Sequence, residues 1–211
     1  MDLLAPIAGT YIYVSYPWNS SQFIITHNLC LHIYSVWTFC SLVYSVWQKG
    51  LHVESMYYMN DPWINQLVFY FYLSKYYEYL DTFIIYAKGK KPIFLQTYHH
   101  IGAAICWHLA WTYKVDAIVY ASIANSFIHS IMYLYYLLTF IKINTRIVKP
   151  YITYLQMIQF LSGFVSMYYW LPVETYENMC VIIIFLMYNL GLFILFGKFI
   201  QDTYMNKRRL D

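Results

Sequence analysis

The chain has 211 residues, of which 61% are hydrophobic, 22% aromatic and 11% charged, with a formal net charge of +3. A soluble domain carries about 25% charged residues, and a mean hydropathy of +0.44 with so little charge excludes a soluble globule or a disordered chain. The basic residues sit in short clusters rather than along one amphipathic face, which excludes nucleic-acid binding. The composition reads as an all-α, polytopic membrane protein.

Residues 1–21 form an interfacial or re-entrant lead. Within it 3–18 are uncharged, but they are short and hold Pro6, Gly9 and Pro17. No basic n-region precedes them, so they do not read as a cleaved signal peptide. A membrane helix needs about 20 mostly apolar residues. Six stretches qualify, at about 22–47, 62–86, 92–113, 117–141, 151–173 and 178–197. Pro62, Pro92 and Pro150 open three of them, where a missing N–H is harmless. The six make one unit, 22–200, without repeats or linkers, followed by a basic tail, 201–211. Cys30, Cys40, Cys106 and Cys180 lie in apolar stretches without a CxxC pair, so neither a disulfide framework nor a zinc site is expected.

Ten of the thirteen basic residues fall in 87–91, 142–149 and 198–211, two (Lys49 and Lys114) in the loops of the other side, and Lys75 inside a span. The positive-inside rule makes the ten-residue side cytoplasmic, with both termini there. Arg208 and Arg209 stand where a dilysine retrieval signal places its lysines, which suggests the endoplasmic reticulum membrane. On this topology the sequon at Asn19 stays unmodified.

Ionisable groups at bilayer depth mark function or a specific partner. In the second span, Lys75, Glu78 and Asp81 at i, i+3 and i+6 fall within a third of the helix circumference. They line a wet vestibule, meet polar groups of other helices, or form a structural ion pair. In the third span, Gln96, His99 and His100 share a face. A neutral imidazole there serves as base, nucleophile or ligand. His108 lies off this face and reads as structural. In the fourth span, Asn125, His129 and either Met132 or Tyr133 fall on one stripe that Tyr133 and Tyr136 extend toward the cytoplasm. In the fifth, Thr153, Gln156 and Gln159 form a weaker stripe, as helix–helix glue or tunnel lining.

These boxes, in this order, resemble the fatty-acid elongase (ELO) family of membrane 3-ketoacyl-CoA synthases. K-Y-Y-E-Y-L-D-T (75–82) is similar to the family's KxxExxDT box, and F-L-Q-T-Y-H-H (94–100) to its FLHxxHH box with Gln96 in place of the first histidine. N-S-F-I-H-S-I-M-Y-L-Y-Y (125–136) is similar to NxxxHxxMYxYY, and T-Y-L-Q-M-I-Q-F (153–160) to TxxQxxQF. H-N-L-C-L (27–31) also fits. The resemblance implies a six-helix barrel around a narrow acyl tunnel. Members carry a further helix packed outside that barrel, whose absence here leaves the barrel intact.

The implied reaction joins acyl-CoA to malonyl-CoA and releases carbon dioxide and CoA, with no cofactor and no metal. His99 takes the acyl group as an acyl-imidazole, His129 positions or polarises the malonyl thioester, and His100 orients its neighbours. Gln96 or Asn125 donates to the thioester oxyanion. Lys75, Glu78, Asp81, Tyr133, Tyr136, Gln156 and Gln159 carry over as substrate-binding positions. Lys88, Lys90, Lys91, Lys142, Arg146 and Lys149 stand where CoA phosphates would approach. Gln96 matches the QxxHH variant of some algal elongases of polyunsaturated chains. The implied partners are acyl-CoA, malonyl-CoA, membrane lipid and separate reductases and a dehydratase, with a homodimer an open option. Two other classes compete. A di-iron desaturase needs about eight histidines and no glutamine ligand, whereas this chain has seven histidines. A non-catalytic acyl-CoA-binding or scaffold relative is the other.

Overall fold

The structure is a computed structural model that describes residues 21–145 and 147–206. The lead up to residue 20 with its Asn19 sequon, Arg146 and the basic end 207–211 lie outside the described residues.

The described residues form helices joined by short loops, with no strand among them. In chain order these are α1 (Ser21–Lys49), α2 (Pro62–Tyr77), α3 (Tyr79–Ala87), α4 (Phe94–Thr112), α5 (Ala117–Phe140), α6 (Val148–Trp170) and α7 (Tyr176–Ile200). Each expected span coincides with a helix or, for the second, with a helix pair. Helix α1, helix α5 and the stretch Tyr176–Met205 are long and apolar enough to cross a membrane. The α2–α3 rod is interrupted, and α4 and α6 carry polar stripes that dilute their apolar character.

Local chemistry sets the ends. Pro62 opens α2, and the Asp61 carboxylate accepts from the N–H groups of Trp63 and Ile64, both at 3.0 Å, satisfying donors that the helix cannot. Thr175 caps α7 through the N–H of Asn178 at 3.3 Å. Pro150 does not open its helix as expected. It sits in the first turn of α6, where its missing N–H would be unpaired in any case. Gln201–Met205 continues α7 as a π-helical turn.

The helices close a ring, in the order α1, α5, α6, α7, α4, α2 and back to α1. In lipid, close packing and interhelical hydrogen bonds hold such a ring, since hydrocarbon solvates apolar side chains as well as a neighbour does. The α4–α7 seam uses glycine for this. Tyr98 stacks on Tyr188 with centroids 5.7 Å apart, Gly102 lies under the Tyr188 ring and Gly191 under Tyr98, and a methyl at either glycine would collide with the ring.

The apolar core runs along α7 to Leu192 and Phe196 and includes, at one end of the ring, Tyr58, Met59, Ile64, Ile118, Met167 and Trp170. The 50–61 loop is fastened there by Asp116. Its fully buried carboxylate accepts from the N–H groups of Tyr58 and Met59, each at 2.8 Å. The two lysines of this end are tied to the same loop, Lys49 to Asp61 at 2.9 Å and Lys114 to Asn60 at 3.1 Å. Asp116→Ala leaves two buried N–H groups unpaired. At about 1–3 kcal/mol each, thermal unfolding in detergent should show a loss of about 2–6 kcal/mol, and an unchanged midpoint would refute this anchoring role.

Candidate active site

Packing of α4 against α7 and of α1 against α5 brings polar side chains from five helices toward the ring's axis. The second-span constellation is divided by the helix interruption at Glu78. On one side, Lys75, 1% exposed, donates to Glu78 Oε1 and to Asn125 Oδ1, both at 2.8 Å. Its ammonium also lies 4.1 Å from the Phe71 ring centroid and 5.3 Å from that of Trp107, favourable positions for a desolvated cation. Glu78 Oε1 lies 3.4 Å from His129 Nδ1 as well.

Asp81 points elsewhere. Its Oδ1 accepts from His27 Nε2 of α1 at 2.9 Å and its Oδ2 from the Tyr133 hydroxyl of α5 at 2.7 Å. Lys75 therefore pairs with Glu78 and not with Asp81, and each acid also meets polar groups of other helices. His27 and Asn28 are site-forming residues that helix-face reasoning did not single out. The available signal was the H-N-L-C-L stretch (27–31), which fits the family resemblance.

The histidines converge. His99 and His129 have ring centroids 6.1 Å apart, and His99 and His100 5.5 Å. The Tyr188 hydroxyl donates to the backbone carbonyl of His99 at 3.0 Å and so pins this turn of α4 from α7. His99 Nδ1 is buried without a partner, which leaves Nε2 as the nitrogen on the open side of the ring. His100, also unpartnered at Nδ1, packs on Tyr79 with centroids 5.9 Å apart. His108 is exposed on the outer side, against Tyr72.

Two cavities meet here. The larger, about 710 Å³, is lined by Glu78, Asp81, Gln96, His99, His100, His129, Tyr133, Tyr136 and Gln156 among others, with Lys88 and Lys149 toward its basic end. The smaller, about 280 Å³, is walled by Asn125, Gln159, Trp107, Tyr120 and Phe185 among others. Among the described residues His99 alone lines both. Lys75 lines neither, and of the described basic residues singled out for phosphates only Lys88 and Lys149 reach the larger cavity. Gln156 Nε2 approaches Met132 Sδ at 3.8 Å. Among the described residues no three His, Cys, Asp or Glu side chains converge as a metal site requires.

The site thus centres on a histidine pair, with His129 buried and His99 lining both cavities. The model of the ELO (GNS1/SUR4) family matches residues 6–211. The chain belongs to the ELO family. This ELO-family chain is 33% identical over 199 residues to fatty acid elongase sre1 of Dictyostelium discoideum, covering 89% of this chain and 74% of that protein. It is 30% identical over 158 residues to very long chain fatty acid elongase 4 of Trypanosoma cruzi, covering 70% of this chain and 55% of that one. With very long chain fatty acid elongase 1 of Mus musculus it shares 29% over 212 residues, 92% of this chain and 74% of the mouse protein. Membership in this family and the apolar helices make it a membrane protein of fatty-acid elongation.

Proposed function

We propose that the chain is a 3-ketoacyl-CoA synthase that condenses acyl-CoA with malonyl-CoA through an acyl-imidazole on His99. The observation that carries this reading is the position of His99, whose ring borders both cavities and faces His129 at 6.1 Å between centroids. Nε2 of His99 attacks the thioester carbon, and CoA leaves as the thiol with the imidazole proton. Malonyl-CoA then loses carbon dioxide, and its enolate attacks the acyl carbon. The C–N bond breaks, the imidazole takes up a proton, and 3-ketoacyl-CoA is released. Dividing the condensation into two steps lowers each barrier.

Asn125 is a donor in this scheme, since Lys75 occupies its Oδ1 and only its Nδ2 hydrogens remain for a thioester oxyanion. Gln96 serves from the larger cavity, His129 polarises the malonyl thioester, and Lys88 and Lys149 meet CoA phosphates at the cytoplasmic mouth. On this reading the ring of helices is a six-span barrel in the endoplasmic reticulum membrane, its basic end cytoplasmic. Separate reductases and a dehydratase complete the cycle, and the QxxHH pattern biases the enzyme toward polyunsaturated chains.

Gln96 has no side-chain hydrogen-bond partner among the described residues, and it opens to the larger cavity. Its effect therefore falls on substrate rather than on folding. The test is expression in a host fed saturated and polyunsaturated fatty acids, with products two carbons longer profiled for wild type, Gln96→Ala and Gln96→His. Gln96→Ala should lose about ten- to a hundredfold in rate, the equivalent of one missing hydrogen bond. Full activity removes Gln96 from the site, and no product from any form favours a non-catalytic acyl-CoA-binding protein.

A further inference from the structure

The smaller cavity is not closed. Ser162 of α6 is exposed on the outer side of the helix ring and is at the same time part of that cavity's wall. Its hydroxyl donates to the backbone carbonyl of Gln159 at 2.8 Å, so it presents no free donor to the gap. The wall residues beside it are small, Ala121 and Ala124 of α5 and Gly163 and Ser166 of α6, whereas Trp107, Tyr120, Phe160 and Phe185 close the rest. The other flank of α6 is sealed, because Asn189 of α7 donates to the carbonyl of Phe160 at 2.8 Å and lies directly over Gly163. The breach therefore lies on the α5 side, and on the six-span reading it faces the hydrocarbon of the bilayer.

We propose that this breach is a lateral outlet for the tail of the acyl chain. The chain enters by the larger cavity, passes His99 and, beyond a threshold length, leaves the smaller cavity between α5 and α6 into lipid. This rests on the acyl-transfer reading of His99. A tail that passes into hydrocarbon stays in an apolar medium, so carbons beyond the opening neither clash nor add to binding. The enzyme then has a minimum useful chain length and no sharp upper limit, unlike a closed pocket that measures length against its floor.

The test has a binding arm and a turnover arm, both on the full chain in membranes. For binding, Ser162→Cys is made in a background with the exposed Cys30, Cys40 and Cys180 replaced by alanine. It is labelled with a lipid-soluble maleimide in the presence of saturated acyl-CoAs of six to twenty-two carbons. Labelling should slow at least fivefold above a threshold length and be unaffected below it. No protection at any length overturns the outlet. For turnover, Ser162→Trp should cut elongation of the longest acyl-CoAs at least tenfold while leaving shorter ones at the parental rate. Leu161→Trp, at an exposed neighbouring position, should leave the length profile as it was. An equal loss at every length, or none at any, overturns the outlet. Protection by long chains in a protein that elongates nothing keeps the outlet and rejects the condensation reading, whereas elongation without protection does the reverse.

Discussion

Replacing His99 with alanine should abolish condensation and leave the fold intact. The hydrogen bond that secures this turn of α4 runs from the Tyr188 hydroxyl to the backbone carbonyl of residue 99, so it survives removal of the imidazole. The ring nitrogens make no bond whose loss would unfold the helix, Nδ1 being buried and unpartnered already. What disappears is the nucleophile. The yield of chain-extended product should fall by about a thousandfold or more, at least about 4 kcal/mol of barrier. A radiolabelled acyl group from acyl-CoA should become covalently attached to the wild type and not to His99→Ala. His129→Ala should lose product but keep the acyl adduct, since on this scheme it acts on the malonyl half. His108→Ala, altered on the outer face, should elongate at close to the parental rate. Parental activity in His99→Ala would end the acyl-imidazole assignment.

The largest effect on stability is expected at Lys75. Its ammonium is enclosed by Glu78, Asn125, Phe71 and Trp107, and no solvent reaches it. Lys75→Met keeps the volume and removes the charge, so the buried Glu78 carboxylate is left with His129 as its remaining ionisable neighbour at 3.4 Å. Breaking a buried pair in this way costs about 3–5 kcal/mol, whereas replacing both members is often close to neutral. Thermal unfolding in detergent should therefore show Lys75→Met strongly destabilised, with Lys75→Met/Glu78→Gln recovering most of the loss. A single variant as stable as the wild type, or a double variant no better than the single, would show that the buried pair does not carry this stability. Activity should remain low in the double variant if Glu78 orients His129 for the reaction.

Much of the architecture was legible along the chain. Apolar runs of membrane length located the described helices to within a few residues, with α2 and α3 together in one run, because the desolvation of backbone and side chains is a local property of composition. The 3.6-residue repeat placed Gln96, His99 and His100 on one face and Asn125, His129 and Tyr133 on another, because side-chain direction on a helix follows from its own geometry. Family membership followed from the same boxes.

Partnerships between helices were not legible, because they depend on which helix neighbours which. Asp81 is three residues from Glu78, yet its partners His27 and Tyr133 lie 54 and 52 positions away. Lys75 finds Asn125 50 positions on. Nothing local announced the interruption at Glu78, which turns the two acids toward different neighbours. Composition and helical periodicity along the chain set an all-helical membrane protein with two histidines on faces able to meet. Only the tertiary ring decided that those faces do meet, that Lys75 is locked away from both cavities, and that the smaller cavity behind His99 opens at Ser162. A void is shaped by the helices around it, and no single segment of the chain encodes it.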